Sequence, residues 1–473
     1  MPRKAQRGVK QSRAIRLQSV LFIIPFILAY FSWKWFPIFA EHCVLHLFGY
    51  TLQPHHVHWI WYLTVGFLYA WYTFFTVGLV GTFIVAAWIW KRRRSLTEKM
   101  KFYPMVSFVV PAYNEEKQIS RCVTSLFRCA ANYLGLCQII VVDDGSTDLT
   151  YEIAWAILEQ NRKRWPQIYG KVVRHSANLG KVEAIRTGVN DALGNVIAVV
   201  DADSWWEPNA LCKLVSHMSV EEKSAVTGYV HPSDGGDERN PYVILQQLEY
   251  SQGLAVFRCA QVLGNAVLVV PGSIGVYEAD VLREILNETK MRSVTEDFEI
   301  TLEMQRRGLS VSYVNQARSG TIAPTSSKAF WNQRLRWFTG GLHNILNIHR
   351  KLLFKRRWLS LLLWYCIISG YVGAVIGLVA VFGIPFFFWF APDRIFFVFN
   401  LLMYLPYSLI IGIIGQAVAL KFAYHEYNHK QLLIYTPFYS ILWFINILAR
   451  FVSSIKCLFG DSGAWRKAER PFS

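Results

Sequence analysis

Three apolar runs in the middle of this chain each give way, directly or within a few residues, to carboxylates and other polar groups. That pattern restricts the fold more than any other feature. Residues 106–110 lead to Asn114 and Glu115, residues 138–142 to Asp143 and Asp144, and residues 196–200 to Asp201 and Asp203. Short apolar runs rich in β-branched residues fit strands buried on both faces of a parallel sheet. Helix-like segments lie between them, as crossovers between parallel strands require. The expectation for residues 102–335 is an α/β domain: a mixed, mostly parallel sheet with helices on both faces. Ligands of such open sheets bind just outside the strand ends, which is where the polar groups fall.

Apolar stretches flank this region. Residues 18–36 and about 59–90 precede it, and residues 358–390, 395–420 and 432–453 come after it. The first is long enough to cross a hydrocarbon core of about 30 Å. A cleavable leader is the competing reading, weakened by the aromatic run at residues 31–35 where a small-residue cleavage site belongs. The formal net charge of +17 would suit nucleic acid. Its location argues otherwise, because the basic residues cluster beside apolar stretches: Arg3 to Arg16, Lys91 to Arg94, and Arg350 to Arg357. This is the positive-inside arrangement; no nucleic-acid partner is expected. The lipid bilayer is the expected partner instead, with the α/β domain on the cytoplasmic side of a multi-pass protein of the plasma (inner) membrane.

The expected organisation is a basic N-terminus and transmembrane hairpin (1–101), the cytoplasmic α/β domain (102–335), an interfacial amphipathic helix (336–357), and a C-terminal transmembrane region with a cytoplasmic tail (358–473). The basic tail favours four crossings plus one re-entrant or interfacial segment. The eight cysteines contain no C-x-x-C pair and read as reduced. His55, His56 and His58 lack a nearby carboxylate or cysteine and read as loop residues rather than metal ligands.

Transfer from a nucleotide sugar needs a grip on the nucleotide, a cation on the diphosphate and a base for the acceptor hydroxyl. Asp144, or else Asp143, is placed to accept hydrogen bonds from the base or ribose; a plain Asp-Gly-Ser turn is the alternative. Asp201 and Asp203 would share a face if extended geometry persists past residue 200. Their oxygen ligands suit Mg²⁺ or Mn²⁺. Asp297, within Thr295-Glu296-Asp297, is the base candidate, although acids at a helix start also have a purely capping role. Gln333, Arg334, Arg336 and Trp337 combine planar donors for phosphate with a flat face for a sugar ring; a basic-aromatic membrane anchor is the other reading. Lys181 suits a phosphate contact or a surface helix start, and the loop with Gly272 and Ser273 a close backbone approach or an ordinary turn.

In this order, the 108–116 run Phe-Val-Val-Pro-Ala-Tyr113-Asn-Glu115-Glu, the Asp143 turn, residues 178–181, the Asp201 pair, Thr295-Glu296-Asp297 and residues 333–337 resemble the processive family 2 glycosyltransferases. That group makes cellulose, chitin, hyaluronan and poly-N-acetylglucosamine. The resemblance implies a GT-A fold and inverting transfer from a UDP-sugar to a growing polysaccharide, with Mg²⁺ or Mn²⁺. It assigns Asp144 and Glu115, beside Tyr113, to uridine and Asp203, with Asp201, to the cation. Asp297 becomes the general base, in one motif with Glu296 and Thr295. Gln333, Arg336 and Trp337 belong with diphosphate and acceptor, and Gly272 and Ser273 lie near the acceptor sugar; Lys181 and Arg334 stay substrate-binding candidates from the residues themselves.

Residues 331–337 followed by Gly340-Gly341 look most like poly-β-1,6-N-acetylglucosamine synthases. Residues 271–277 lean toward the chitin and hyaluronan branch, with Glu278 where an arginine is usual, so the sugar stays open. A small membrane partner or a homo-oligomer would help enclose an export channel. The rivals are a transferase adding one sugar to a lipid and a silent membrane scaffold.

Overall fold

The computed structural model describes residues 100–460 apart from 101, 237–238, 356, 391–393 and 424–429, with scattered positions between 70 and 88. The expected span at 18–36, most of that at 59–90, and His55, His56 and His58 lie outside the described residues.

The middle of the chain forms an eight-stranded sheet in the order β3-β2-β1-β4-β7-β6-β8-β5. Strands β1 (Val106–Ala112) and β2 (Cys137–Asp143) are buried at every position, which is why their sequences show no alternation. They run parallel in a register that aligns Ala112 with Asp143, so Tyr113 and Asp144 emerge side by side. Strand β3 (Ile168–Arg174) extends the parallel set beyond β2, and β4 (Val196–Val199) lies parallel on the other side of β1. Strand β7 (Gly275–Glu278) then runs antiparallel to both β4 and β6 (Ala225–Ser233). Strand β8 (Val311–Ile322) lies parallel to β6 and carries the short edge strand β5 (Ser204–Trp206). The sheet is mixed, with more parallel than antiparallel pairings.

Helices α1 (Ile119–Ala131), α2 (Thr150–Arg164) and α4 (Ala210–Glu221) cover one face. There Phe108, Ile139, Leu126, Phe127, Leu158 and Leu211 form the main core. Helix α3 (Lys181–Asn190) packs on the other face, against Val109 and Val142. Helices α5 (Pro241–Tyr250), α6 (Ala279–Glu288), α7 (Glu296–Arg306) and α8 (Ser327–His343) complete the domain with α9 (Tyr439–Leu458). A second apolar group, including Phe298, Leu302, Ile345, Leu353 and Leu363, seats α7 against the chain beyond α8.

All of this belongs to one compact unit, Ile89–Ala374 with Ala419–Ser473; Met1–Trp88 with Val375–Val418 make a second. The second unit includes most of the helices Gly373–Phe390 and Arg394–Ala423. Among the described residues, Trp358–Val379 and Leu432–Leu458 are long and apolar enough to cross a membrane, with mean hydropathy 2.0 and 1.7. That criterion is one of length and composition alone.

Candidate active site

The loops leaving β1, β2 and β4 surround a cavity of about 1070 Å³, lined among others by Tyr113, Glu115, Asp144, Lys181, Asp203 and Arg336. Its volume suits a ligand of nucleotide size. The wall nearest β2 is built around Asp144, which is 2% exposed. Its carboxylate accepts the backbone N–H of Leu179 on Oδ1 at 2.9 Å and that of Gly180 on Oδ2 at 2.8 Å. Gly180 has φ +96°, a conformation that side-chain-bearing residues rarely adopt, and it delivers Lys181 as the first residue of α3. Asp143 is turned away, its Oδ2 3.1 Å from Arg174 Nε. Asp144 is therefore the member of the pair that faces the cavity. On the β1 side, Asn114 takes a left-handed turn, φ +52°, and the Glu115 N–H donates to Thr150 Oγ1 at 2.7 Å.

Strand geometry stops at Val199, before the next pair of acids. The Ser204 N–H returns to the Asp201 carbonyl at 2.9 Å, so residues 201–204 form a tight turn instead of continuing the strand. Both Asp201 and Asp203 still line the cavity. Asp203 Oδ1 accepts from Ser204 Oγ at 3.1 Å. Gly272 lies directly under Asp201: its carbonyl accepts the Asp201 N–H at 2.8 Å, and a Cβ there would sit 2.6 and 2.7 Å from the two carboxylate oxygens.

Across the cavity, α7 begins with acids, as a helix N-terminus favours. Glu296 faces the cavity, while Asp297 is set behind it and accepts the Phe298 N–H at 2.8 Å. Lys181 joins the two sides. Its Nζ lies 2.7 Å from Asp201 Oδ1 and 2.6 Å from Glu296 Oε1. Burial disfavours the ammonium, but Asp201, Glu296 and Asp297 outweigh it and raise the Lys181 pKa. Burial, with Glu296 and Asp201 adding and Lys181 opposing, pushes the Asp297 carboxyl up to about 6. Thr295 stands off the cavity wall, its Oγ1 accepting from Asn344 Nδ2 at 3.0 Å.

Helix α8 splits its cluster between two sides. Arg336 lines the cavity. Arg334 is 3% exposed and grips Glu249 of α5 with Nη1 at 3.2 Å and Nη2 at 2.6 Å, between the rings of Phe330 and Trp337. Asn446 of α9 donates to the same Glu249 at 3.0 Å. Gln333 and Trp337 are off the cavity wall, and Gln333 Oε1 is buried without a hydrogen-bond partner. Ser273 is also buried, its carbonyl accepting the Trp206 indole N–H at 2.8 Å.

The cavity thus gathers Tyr113, Glu115, Asp144, Lys181, Asp201, Asp203, Glu296 and Arg336 from segments far apart in sequence. Sequence reasoning missed His175, whose ring bonds Asp144; a histidine two residues before Ala177-Asn178 carries no motif of its own. Among the described residues there is no group of three or more His, Cys, Asp or Glu arranged to hold a metal. Two carboxylates opening on a cavity still fit a hard cation that takes its remaining ligands from phosphate and water.

Residues 107–286 match the model of glycosyl transferase family 2. An N-acetylglucosaminyltransferase of Rhizobium meliloti (strain 1021) is 29% identical over 250 residues, covering 50% of this chain and 55% of that protein. A poly-beta-1,6-N-acetyl-D-glucosamine synthase of Staphylococcus aureus (strain COL) is 26% identical over 246 residues, 51% of this chain and 55% of that one. The chain spans little more than half the length of these relatives. Among solved structures, the mannosyltransferase PcManGT of Pyrobaculum calidifontis, in complex with GDP-Man and Mn²⁺, covers 81% of this chain and 98% of its own, with a TM-score of 0.48 and 16% identity. That likeness is too low to bear on the assignment, which rests on the family model falling across the β1–α6 segment and its cavity. The segment 107–286 is thus a glycosyl transferase family 2 domain.

Proposed function

We propose that this chain is an inverting, processive glycosyltransferase. It polymerises a β-linked polysaccharide containing N-acetylglucosamine, from a UDP-sugar, at the cytoplasmic face of a membrane, and helps pass the product across. The observation that carries this reading is the array Asp201–Lys181–Glu296, closed by ion pairs of 2.7 and 2.6 Å in the cavity that also holds Asp144, Asp203 and Arg336. The names of the relatives and the 331–337 run favour N-acetylglucosamine.

In this reading Asp144, with Tyr113 and Glu115, accepts the N–H and hydroxyl donors of the nucleotide. Lys181 and Arg336 face the diphosphate, where a compact ammonium and a planar guanidinium both offset negative charge. Asp203 and Asp201 would hold Mg²⁺ or Mn²⁺, which when bound would supply positive charge to offset that of the diphosphate leaving group. Asp297, with a pKa of about 6, suits a base working near neutral pH. It takes the proton of the acceptor hydroxyl as that oxygen bonds to the anomeric carbon. The bond from that carbon to the diphosphate oxygen breaks on the opposite face, releasing UDP and inverting the centre. Gln333 and Trp337 hold the acceptor, with Gly272 and Ser273 beside it, while Arg334 and Thr295 brace this machinery through Glu249 and Asn344.

The test is a radiolabel assay of the detergent-solubilised chain with Mn²⁺ or Mg²⁺ and a panel of UDP-sugars, the products digested with linkage-specific glycosidases. Incorporation from UDP-N-acetylglucosamine into a digestible polymer supports the reading. Absence of turnover with every UDP-sugar contradicts it.

A further inference from the structure

His175 is the first residue beyond β3, and its backbone N–H continues the β2–β3 ladder to the Asp143 carbonyl at 2.9 Å. Its ring points inward, with the side chain 10% exposed. Nδ1 lies 2.8 Å from Asp144 Oδ1, and Nε2 lies 2.9 Å from Thr187 Oγ1 on α3. An ionised carboxylate only accepts, so Nδ1 carries the hydrogen; Nε2 of the neutral ring then accepts the Thr187 hydroxyl. The bonds close a ring. Asp144 holds Leu179 and Gly180, Gly180 opens α3, α3 carries Thr187, and Thr187 returns through His175 to Asp144.

The segment inside this ring has little else to fix it. Residues 176–179 are exposed, Leu179 at 59%, so burial contributes little to fixing the turn that lines the cavity and presents Lys181. The ring also limits what Asp144 can do. Oδ1 accepts from both Leu179 and His175, and Oδ2 from Gly180. With about two lone pairs per oxygen, one remains, on Oδ2. Without His175, the carboxylate is free to rotate and spread its two acceptors over the Leu179 and Gly180 N–H groups in other ways.

We propose that His175 is a positioning residue for the nucleotide. It holds the Asp144 carboxylate so that the last acceptor site on Oδ2 faces an N–H of the base, and through Thr187 it fixes the turn that aims Lys181. This rests on the reading of the cavity as a nucleotide-sugar site.

The test is calorimetric titration of the full detergent-solubilised chain with UDP and Mn²⁺, for the wild type and for His175→Ala, His175→Asn and Thr187→Val. Loss of a hydrogen bond to a charged group predicts about a tenfold weaker UDP affinity for His175→Ala. His175→Asn, whose amide replaces the Nδ1–H donor, is expected within about threefold of wild type, and Thr187→Val between the two. Affinity of His175→Ala within twofold of wild type overturns the proposal. So does an equal loss in His175→Ala and His175→Asn accompanied by equal falls in melting temperature, the signature of a packing role alone. If the wild type binds GDP and not UDP, the donor reading fails, and the same variants test His175 on GDP.

Discussion

Lys181 is one cation set among three acids, Asp201, Glu296 and Asp297. Asp297 titrates near 6 because burial and the like charges of Glu296 and Asp201 outweigh the attraction of that lysine. A base works only when deprotonated, so the rate is expected to fall as pH drops through about 6 and to reach about a tenth of its plateau near pH 5. A pH–rate profile checks this, and a flat rate from pH 7 to 5 removes Asp297 as the base. Asp297→Asn should abolish transfer and leave UDP affinity nearly unchanged, since the side chain lies off the cavity wall; normal turnover by that variant has the same consequence. Gly272→Ala drives a methyl group into the Asp201 carboxylate, 2.6 Å away from Oδ1. Transfer is expected to drop by at least tenfold with the fold retained, and circular dichroism beside the activity assay separates the two effects.

At the scale of elements, strand runs and their polar ends are legible in the sequence because a strand buried on both faces must be apolar throughout. Residues 106–110 and 138–142 fall on β1 and β2, and all but the last residue of 196–200 on β4, for this reason. The turn that leaves a strand is less legible. The Asp201–Ser204 turn depends on a Ser204 N–H reaching back to Asp201, a backbone choice that no local pattern announces. Pairings set by topology are also hidden. His175 meets Asp144 across 31 residues, and Arg334 meets Glu249 across 85. The second pair shows that one short motif serves two purposes: Arg336 lines the cavity, while Arg334 locks α8 to α5. Removing Arg334 takes the paired charge from a partly buried Glu249, which keeps the Asn446 amide, at a cost of about 1.5–3 kcal/mol. Arg334→Ala is therefore expected to lower the melting temperature by several degrees, whereas Arg336→Ala should weaken UDP binding with little thermal effect. Equal melting temperatures for the two variants would contradict this division.

At the scale of the whole molecule, the sequence placed an α/β domain between apolar ends. The sheet and cavity bear out the α/β part. Among the described residues, apolar length gives two helices long enough to span, Trp358–Val379 and Leu432–Leu458. Membrane embedding predicts that the chain sediments with membranes and resists carbonate extraction, and release into the supernatant would contradict it. Processivity is the claim on which the rest converges. It calls for a grip on the acceptor between transfers, the role given to Gln333 and Trp337 on α8. The most direct measurement is product length when UDP-N-acetylglucosamine is limiting and turnovers per enzyme are few. The account predicts a small number of long chains that stay bound to the enzyme. Uniform one-sugar products, extractable into organic solvent as glycolipid, would contradict it.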